Sequence, residues 1–454
     1  MQNFPELADW SEHSKRILED FRTLLRFRSV NPPGDEGPAA EFLAGRLRDA
    51  GIETTIVHSE GRPNVVARLR GDGSGGGPVL LTGHIDVVPV EEEHWDVDPF
   101  AAEIRNGYLY GRGAIDMKNM VAMSLGVILA LKASGAKLKR DVIVAFVSDE
   151  EEGCTHGSRF LVEQHPELVQ ADYMIGEIGG FNLDINGVRY YPIQVAEKGI
   201  CQFVMTAEGD PGHGSMPHEN NAIVKLGEAL VKLSSRRLPL HLTESVDANL
   251  RAIARHQKPP ASIALPLVTK RALRDVMLNN VIPDKALARS LSALLANTVS
   301  PTRLDAGFKN NTIPGTASAV LDGRLIPGQT GEDLLREVKA IVGEGFRFEV
   351  LREFPGREDT IDDPLFRAIE ENISRHDPSG HPIPYMIPGF TDAAYFGRLG
   401  MRCYGYSPLR FPVEDNVKFT ELFHGHNERI HVDGFHWGFR CLWDLVRRFV
   451  SEPI

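Results

Sequence analysis

Cysteine is scarce in this chain: 454 residues hold only Cys154, Cys201, Cys403 and Cys441. They are far apart and form no C-x-x-C pair, which argues for free thiols in a reducing cytoplasm rather than a disulfide framework. Long apolar runs are missing too. No stretch approaches the roughly 18 uninterrupted apolar residues of a spanning helix, so no membrane partner is expected. Basic blocks are absent, and 50 Lys and Arg face 62 Asp and Glu for a formal charge of −12. Nucleic acid is therefore not an expected partner. The opening MQNFPELADWSEHSKRILEDF carries charge from its sixth residue and has no apolar h-region, so it reads as neither signal peptide nor anchor. No internal repeat is found.

What is present is the composition of a globular protein, 42% hydrophobic and 25% charged. The length predicts two or three compact units. Ser11 can cap a helix through about Phe27, and SVNPPGDEG leads into a second helix, PAAEFLAGRLRDAG. Short β-rich runs follow, ETTIVHS and NVVARLRG, then the apolar strand PVLLTGHIDVV. A long apolar helix spans about Met117 to Ser134, and VIVAFV, a helix near Gly157 to Gln164, and ADYMIGEI come next. Strands alternating with helices predict a layered α/β unit with a mostly parallel sheet and helices on both faces.

The pattern changes near Val195. GICQFVMTAEG, NAIVKLGEALVKLSS, TASAVLDGRLIPG, EDLLREVKAIVG and FRFEVLREF, with one more strand hidden between them, give the β-α-β-β-α-β order of a ferredoxin-like α+β sandwich. The expected division is residues 1–194 for the first part of one domain, 195–355 for an inserted second domain, and 356–454 for the return to the first. The segment from about Arg237 to Asn310 is long and poorly patterned.

The stretch VIVAFVSDEEEG ends a buried strand in Asp149, Glu150, Glu151 and Glu152. Adjacent carboxylates repel, and burial worsens it, so such a strand end needs protons, basic side chains or cations, unless it is a solvated acidic turn. Two further strands end in the same way, and two more candidate sites lie in a Gly-rich turn and after the last strand. PVLL runs out into His84 and Asp86, whose two-residue spacing puts both on one face. Asp86 is then either a ligand or the acceptor that fixes which nitrogen of His84 faces a metal. Asp116, after the Gly-rich YGRGAIDMKN, precedes the long helix and is either its N-cap or a ligand. Glu177 ends the strand MIGEI, and FHGHNERIHVD supplies His424, His426 and His431. In a parallel sheet the carboxyl ends of strands lie side by side. Imidazole and several carboxylates without cysteine suit zinc, cobalt or manganese, and bridging carboxylates suit a pair of cations.

These motifs carry a resemblance. GHIDVVP, W-x3-PF, YGRGAIDMK, SDEEEG, GHGSMPHENNAI, NNTIPGTASAVLDGRLIPG, GFTDAAYF and HGHNER stand in the order found in a family of two-zinc hydrolases. The chain resembles these enzymes, which include acetylornithine deacetylase, succinyl-diaminopimelate desuccinylase, aminoacylase, bacterial glutamate carboxypeptidase and carnosinase-like dipeptidases. The resemblance runs from SVNPPG to the final helix. It implies His84, Asp116, Glu151, Glu177 and His424 as metal ligands, with Asp116 bridging, His84 and Glu177 completing one site, and Glu151 and His424 the other. His424 is preferred to His426 because it stands three residues before Asn427-Glu428. Glu150 matches the general base and Asp86 the acid behind His84.

In the inserted domain the resemblance implies a lid that also dimerises. His213 of GHGS would reach the active site of the other subunit of a homodimer and donate to the developing oxyanion. Asn311, and Arg324 thirteen residues later, would hold the substrate's carboxylate and polar backbone, and Thr391 of GFTDA would line the same pocket. The expected cofactors are two divalent ions, zinc first, with cobalt and manganese as alternatives. The expected reaction is hydrolysis of the amide bond of an N-acyl amino acid or dipeptide with a free carboxylate. A carboxypeptidase acting on longer peptides and a catalytically silent metal-dependent binding protein are the rival readings. Two departures from the family pattern are Phe390 in GFTDA for the commoner GGTDA, and Glu177 where some members have Asp.

Overall fold

A computed structural model describes residues 10–282, 285–415, 417 and 419–451, without the side chains of 286 and 420. The reading of the first nine residues lies outside this range. The chain divides into two compact units. One comprises the described residues up to Val195, Asp359–Ile383 and those from Thr391 onward; the other comprises Ala196–Glu358 and Pro384–Phe390. No helix among the described residues is long and apolar enough to cross a membrane.

The first unit begins with α1 (Trp10–Arg26) and α2 (Gly37–Asp49). Ser11 lies inside α1 rather than at its cap, because the helix already includes Trp10. There follow β1 (Glu53–Ser59), β2 (Arg62–Leu69), β3 (Val79–His84), β4 (Ile104–Arg105), β5 (Tyr108–Tyr110), α3 (Lys118–Ser134), β6 (Val142–Val147), α4 (Ser158–Gln164) and β7 (Tyr173–Gly176). The central sheet runs β1-β2-β6-β3-β7 and continues through strands Arg402–Gly405 and Val188–Glu197. Its middle is parallel: β6 to β3, β3 to β7, and β7 to Arg402–Gly405. Antiparallel pairs flank it, β1 with β2 and β2 with β6 on one side, and Arg402–Gly405 with Val188–Glu197 on the other.

Composition explains this placement. All six residues of β6 are buried, as a strand covered on both faces requires. α3 is apolar around its circumference and buried from Lys118 through Leu131, so it is a core helix rather than an amphipathic surface one. It stops at Gly135, which takes the left-handed conformation at φ 63°. Gly126 lets neighbours close on it: a Cβ there would lie 2.7 Å from the Phe439 ring and 2.8 Å from Ile17. Overpacking of that kind costs about 1–3 kcal/mol, so Gly126 sets how near α1 and the closing helix Val432–Ser451 can lie.

The second unit has its own sheet. Gly199–Glu208 pairs antiparallel with both Thr316–Leu325 and Phe346–Phe354, and Thr298–Ala306 adds to the far side of Thr316–Leu325. Thr298–Ala306 is the strand that the sequence pattern left hidden. Helices Ala222–Ser235 and Gly331–Val342 complete the β-α-β-β-α-β order around a core of Phe203, Met205, Leu226, Leu321, Leu334 and Val338. Both helices start at readable caps. Asn221 accepts from the N–H groups of Ile223 and Val224, and Thr330 with Asp333 forms a capping box. The poorly patterned segment is mostly helical: Glu244–His256, Ala261–Leu267, Arg274–Val276, a π turn at Met277–Val281, and Lys285–Leu294. Lys198 ties that run to the sheet. Its buried ammonium donates to the carbonyls of Ala293 and Ala296 at 3.0 and 2.9 Å.

Candidate metal centre

The parallel registers Val79↔Val142 and Val79↔Tyr173 set β6, β3 and β7 side by side, so their carboxyl ends open on one place. His84 closes β3 and is fully buried. Glu177 follows β7, with Oε2 3.8 Å from Nε2 of His84. Gly405, on the strand beside β7, makes room there, since a Cβ would come within 2.2 Å of the Glu177 carbonyl oxygen.

Asp116 comes from the turn between β5 and α3. It does not cap the helix; Met117 occupies the N-cap position, with no side-chain bond. Instead its two oxygens divide between two histidines, Oδ1 at 3.0 Å from Nε2 of His84 and Oδ2 at 3.0 Å from Nε2 of His424. Glu151 places Oε2 3.2 Å from Nε2 of His424. His84, Asp116 and Glu177 offer ligand atoms that all lie within 4.8 Å of one another, and so do Asp116, Glu151 and His424. Asp116 belongs to both triads.

Asp86 lies behind the first triad. Nδ1 of His84 donates to the Asp86 carbonyl at 3.0 Å, and Oδ1 of Asp86 lies 3.5 Å from the same nitrogen. The Asp86 carboxylate thus faces the far side of the imidazole from Asp116 and leaves Nε2 for the centre. It also accepts from Nδ2 of Asn31 at 2.9 Å and from the N–H groups of Glu150 and Glu151 at 3.2 Å each. Of the four acids after β6, Asp149 is consumed locally by Asn31, Arg62 and the His156 N–H, and Glu152 is exposed. Glu150 belongs to neither triad, with Oε2 3.9 Å from Nε2 of His84.

The electrostatics show what the cluster lacks. Burial, and then the charge of Glu177, push the Glu150 carboxyl well above its usual range. Burial pushes Glu177 up in the same way. Burial and the neighbouring Asp116 raise Glu151 to about 7. Burial would raise Asp116 as well, but the imidazoles of His424 and His84 outweigh it and hold it at about 2. His424 is pushed up to about 10 by its bonds to Asp116 and Glu151. Carboxylates so placed lack positive charge, and Oε1 of Glu151 is buried with no hydrogen-bond partner. Divalent cations would supply both. The donors are imidazole and carboxylate, a set that fits zinc. The thiol of Cys154 turns toward the Glu150 carbonyl at 4.0 Å and joins neither triad, and all four cysteines are free and buried.

His426 lies outside the triads, 3.4 Å from Glu91, and His431 packs edge-on against Tyr108. Thr391 is buried in the first unit, its hydroxyl accepting from the Ala393 N–H at 3.2 Å. The remaining predicted residues lie in the second unit. His213 is exposed there, with Nδ1 2.7 Å from the Ser215 hydroxyl. It pairs with Thr312, and the carbonyl of Asn311 accepts from the Gly214 N–H at 2.8 Å, so these two segments are neighbours. Arg324 already spends its fork on Asp322, Nε to Oδ1 at 2.8 Å and Nη2 to Oδ2 at 3.1 Å. Alternate strand residues share a face, and that signal was readable from the spacing. Asn31, Arg112 and Glu428, in SVNPPG, YGRGAIDMK and HGHNER, carried no expected role, yet all three bond to the acids or loops of this site.

A mixed sheet whose parallel strand ends, together with two loops, gather two histidine-carboxylate triads around one shared aspartate defines the class: an α/β protein with a site for a pair of cations. Residues 80–448 match peptidase family M20/M25/M40, and the chain belongs to that family. It is 29% identical to aminoacylase-1A of Rattus norvegicus, the alignment covering 98% of this chain and 97% of the relative. It is 31% identical to the N-fatty-acyl-amino acid synthase/hydrolase PM20D1 of Xenopus tropicalis, over 78% and 69% of the two chains. Among solved structures, the M20 family metallo-carboxypeptidase Sso-CP2 from Sulfolobus solfataricus superposes with a TM-score of 0.71 at 20% identity, covering 95% of this chain and 99% of that one.

Proposed function

We propose that this chain hydrolyses the amide bond of N-acyl amino acids or dipeptides that carry a free carboxylate. One cation would be held by His84, Asp116 and Glu177 and the other by Asp116, Glu151 and His424, with zinc the expected ion and cobalt or manganese able to replace it. The observation that carries the reading is the sharing of Asp116 between two triads whose ligand atoms lie within 4.8 Å. When bound, such a pair supplies Lewis acidity toward the amide carbonyl and makes water a nucleophile at neutral pH.

The remaining work falls to the protein. Asp86 holds His84 in one orientation through Nδ1, the side away from the centre. Glu150, near His84 but outside both triads, takes a proton from the attacking water and later delivers it to the leaving amine. His213 donates to the developing oxyanion, while Asn311, Arg324 and Thr391 bind the carboxylate and polar backbone of the substrate. For Arg324 this requires exchanging Asp322 for the substrate carboxylate. The second unit acts as lid and dimerisation domain, with His213 supplied to the partner subunit. Supporting this are apolar side chains left exposed on it, Leu304 at 63% and Phe308 at 83%. The relatives' names, aminoacylase and acyl-amino acid hydrolase, support the substrate class. The free thiols support a cytoplasmic setting.

The test is a panel of N-acetyl, N-succinyl and dipeptide substrates, with longer peptides as the carboxypeptidase arm, offered to zinc- or cobalt-loaded protein. Hydrolysis of the short substrates is expected. Glu150→Gln should retain both metals and lose about 10²–10⁴-fold in kcat. No turnover on any member of the panel would overturn the reading.

A further inference from the structure

Four of the five proposed ligands come from positions of two kinds. His84 and Glu177 stand at the ends of β3 and β7, where sheet ladders fix the backbone. Asp116 and His424 stand on loops, and a loop must find other acceptors for its N–H groups. We infer that Arg112 and Glu428 form a clamp that replaces the missing ladder, making them positioning residues for the cation held by Asp116, Glu151 and His424. This rests on the proposed function above.

The turn carrying Asp116 wraps the Glu428 carboxylate. Oε2 accepts from the Gly113 N–H at 3.1 Å, and Oε1 accepts from Ile115 at 2.6 Å and from Asp116 itself at 3.1 Å. One buried side chain therefore orients three N–H groups of the turn. Its carbonyl also accepts from the Gly111 N–H at 3.0 Å, so both ends of the segment are tied to residue 428.

Arg112 extends the clamp to the second loop. Nη1 donates to Oε2 of Glu428 at 2.8 Å, and Nη2 donates to the His424 carbonyl at 3.3 Å. Both side chains are buried, 3% and 0% exposed, so water cannot stand in for either. The held loop needs holding: His424 and Asn427 sit at φ 55° and 56°, in the left-handed region that side chains adopt at a cost of roughly 1–2 kcal/mol each. The Asn427 side chain is anchored as well, its Oδ1 accepting from the Asp96 N–H at 2.8 Å. A buried ion pair serving stability alone could be exchanged for apolar residues of similar volume. This one aims its acceptors at the backbone of one proposed ligand and a donor at the backbone of another.

The experiment compares full-length protein with Arg112→Lys and Glu428→Gln. Lysine keeps the charge but lacks the fork that reaches both Glu428 and His424. Glutamine keeps one acceptor oxygen and turns an N–H toward partners that are themselves donors. Zn²⁺ titration with elemental analysis, Co²⁺ absorption and melting of the metal-free protein are the readouts. The unmodified chain should take up two ions. In both variants at least one of the two ions should lose about 10–100-fold in affinity, the other falling with it to the extent that the shared Asp116 is displaced, and kcat should recover as metal is raised while KM stays constant. Should Glu428→Gln fail to fold, Arg112→Lys carries the same comparison. Two ions bound by the variants as in the unmodified chain, with only the metal-free melting temperature lowered, would show a purely structural pair and overturn the inference. No uptake by the unmodified chain would instead overturn the metal reading beneath it.

Discussion

At Asp444, in the closing helix, the buried carboxylate meets Arg375 at 2.7 Å, Arg448 at 2.8 Å, and His376 and Asn372 at 3.3 Å. At another acidic cluster of the same unit, Asp116, Glu150, Glu151 and Glu177 share two imidazoles, and among the described residues no guanidinium pairs with them. Burial would raise Asp444, yet His376, Arg448 and Arg375 overcome it and hold its carboxyl well below the usual range. The same burial drives Glu150 and Glu177 upward. One cluster carries its own counter-charge and the other leaves it to be brought. The buried acid in the closing helix has Arg partners, whereas the donors of the cation site pair with one another, which leaves them for an incoming ion.

The contrast can be broken most severely at Asp116. Asp116→Ala removes the oxygens common to both triads, so elemental analysis should find neither ion stoichiometrically bound and turnover should fall below detection. Full metal content in that variant would mean the two triads do not share a ligand. At the satisfied cluster the effect is smaller and lies in stability. Asp444→Asn should cost about 1–3 kcal/mol in denaturant unfolding, less than a fully buried pair because Arg375 and Arg448 are partly exposed. Metal content and kcat should stay unchanged. The sign with pH follows from the depressed carboxyl. Its stabilising contribution is present above the unfolded-state value near pH 4 and is lost as pH falls toward the folded one. The gap between variant and unmodified protein should therefore close in acid; a gap that widens below pH 4 would contradict the assignment. Smallest of all is Glu152→Gln. This exposed acid adjoins the cluster in sequence only, and its replacement should shift stability by less than about 0.5 kcal/mol and leave metal content intact.

Much of the first unit was legible because its signals are local. Six consecutive buried residues from Val142 to Val147 read as a covered strand without reference to anything distant. The acids and His84 that follow strands were visible as candidates by position alone. The segment from Arg237 to Asn310 was not legible where it breaks into short pieces between the helices Glu244–His256 and Lys285–Leu294: a seven-residue helix containing Pro266, a three-residue helix and a π turn. Periodicity needs a longer window than such pieces offer. Arg324 teaches a different lesson. Its chemistry suits a substrate carboxylate, but Asp322, two residues away on the same strand, already accepts its fork.

By itself the sequence determined which chemistry was available: imidazoles and carboxylates at strand ends, no cysteine among them, and motifs in a family's order. The residues alone left open whether Asp86 is a ligand and whether Asp116 caps a helix, with only the family resemblance favouring one answer; tertiary structure sets Asp86 behind the ring of His84, turns Asp116 toward two histidines and brings Arg112 and Glu428 between two loops. The reason is physical. A residue's type and local backbone preference are carried by its neighbours in the chain, whereas the direction in which a carboxylate finds its donors depends on segments hundreds of residues away, and only folding brings those together.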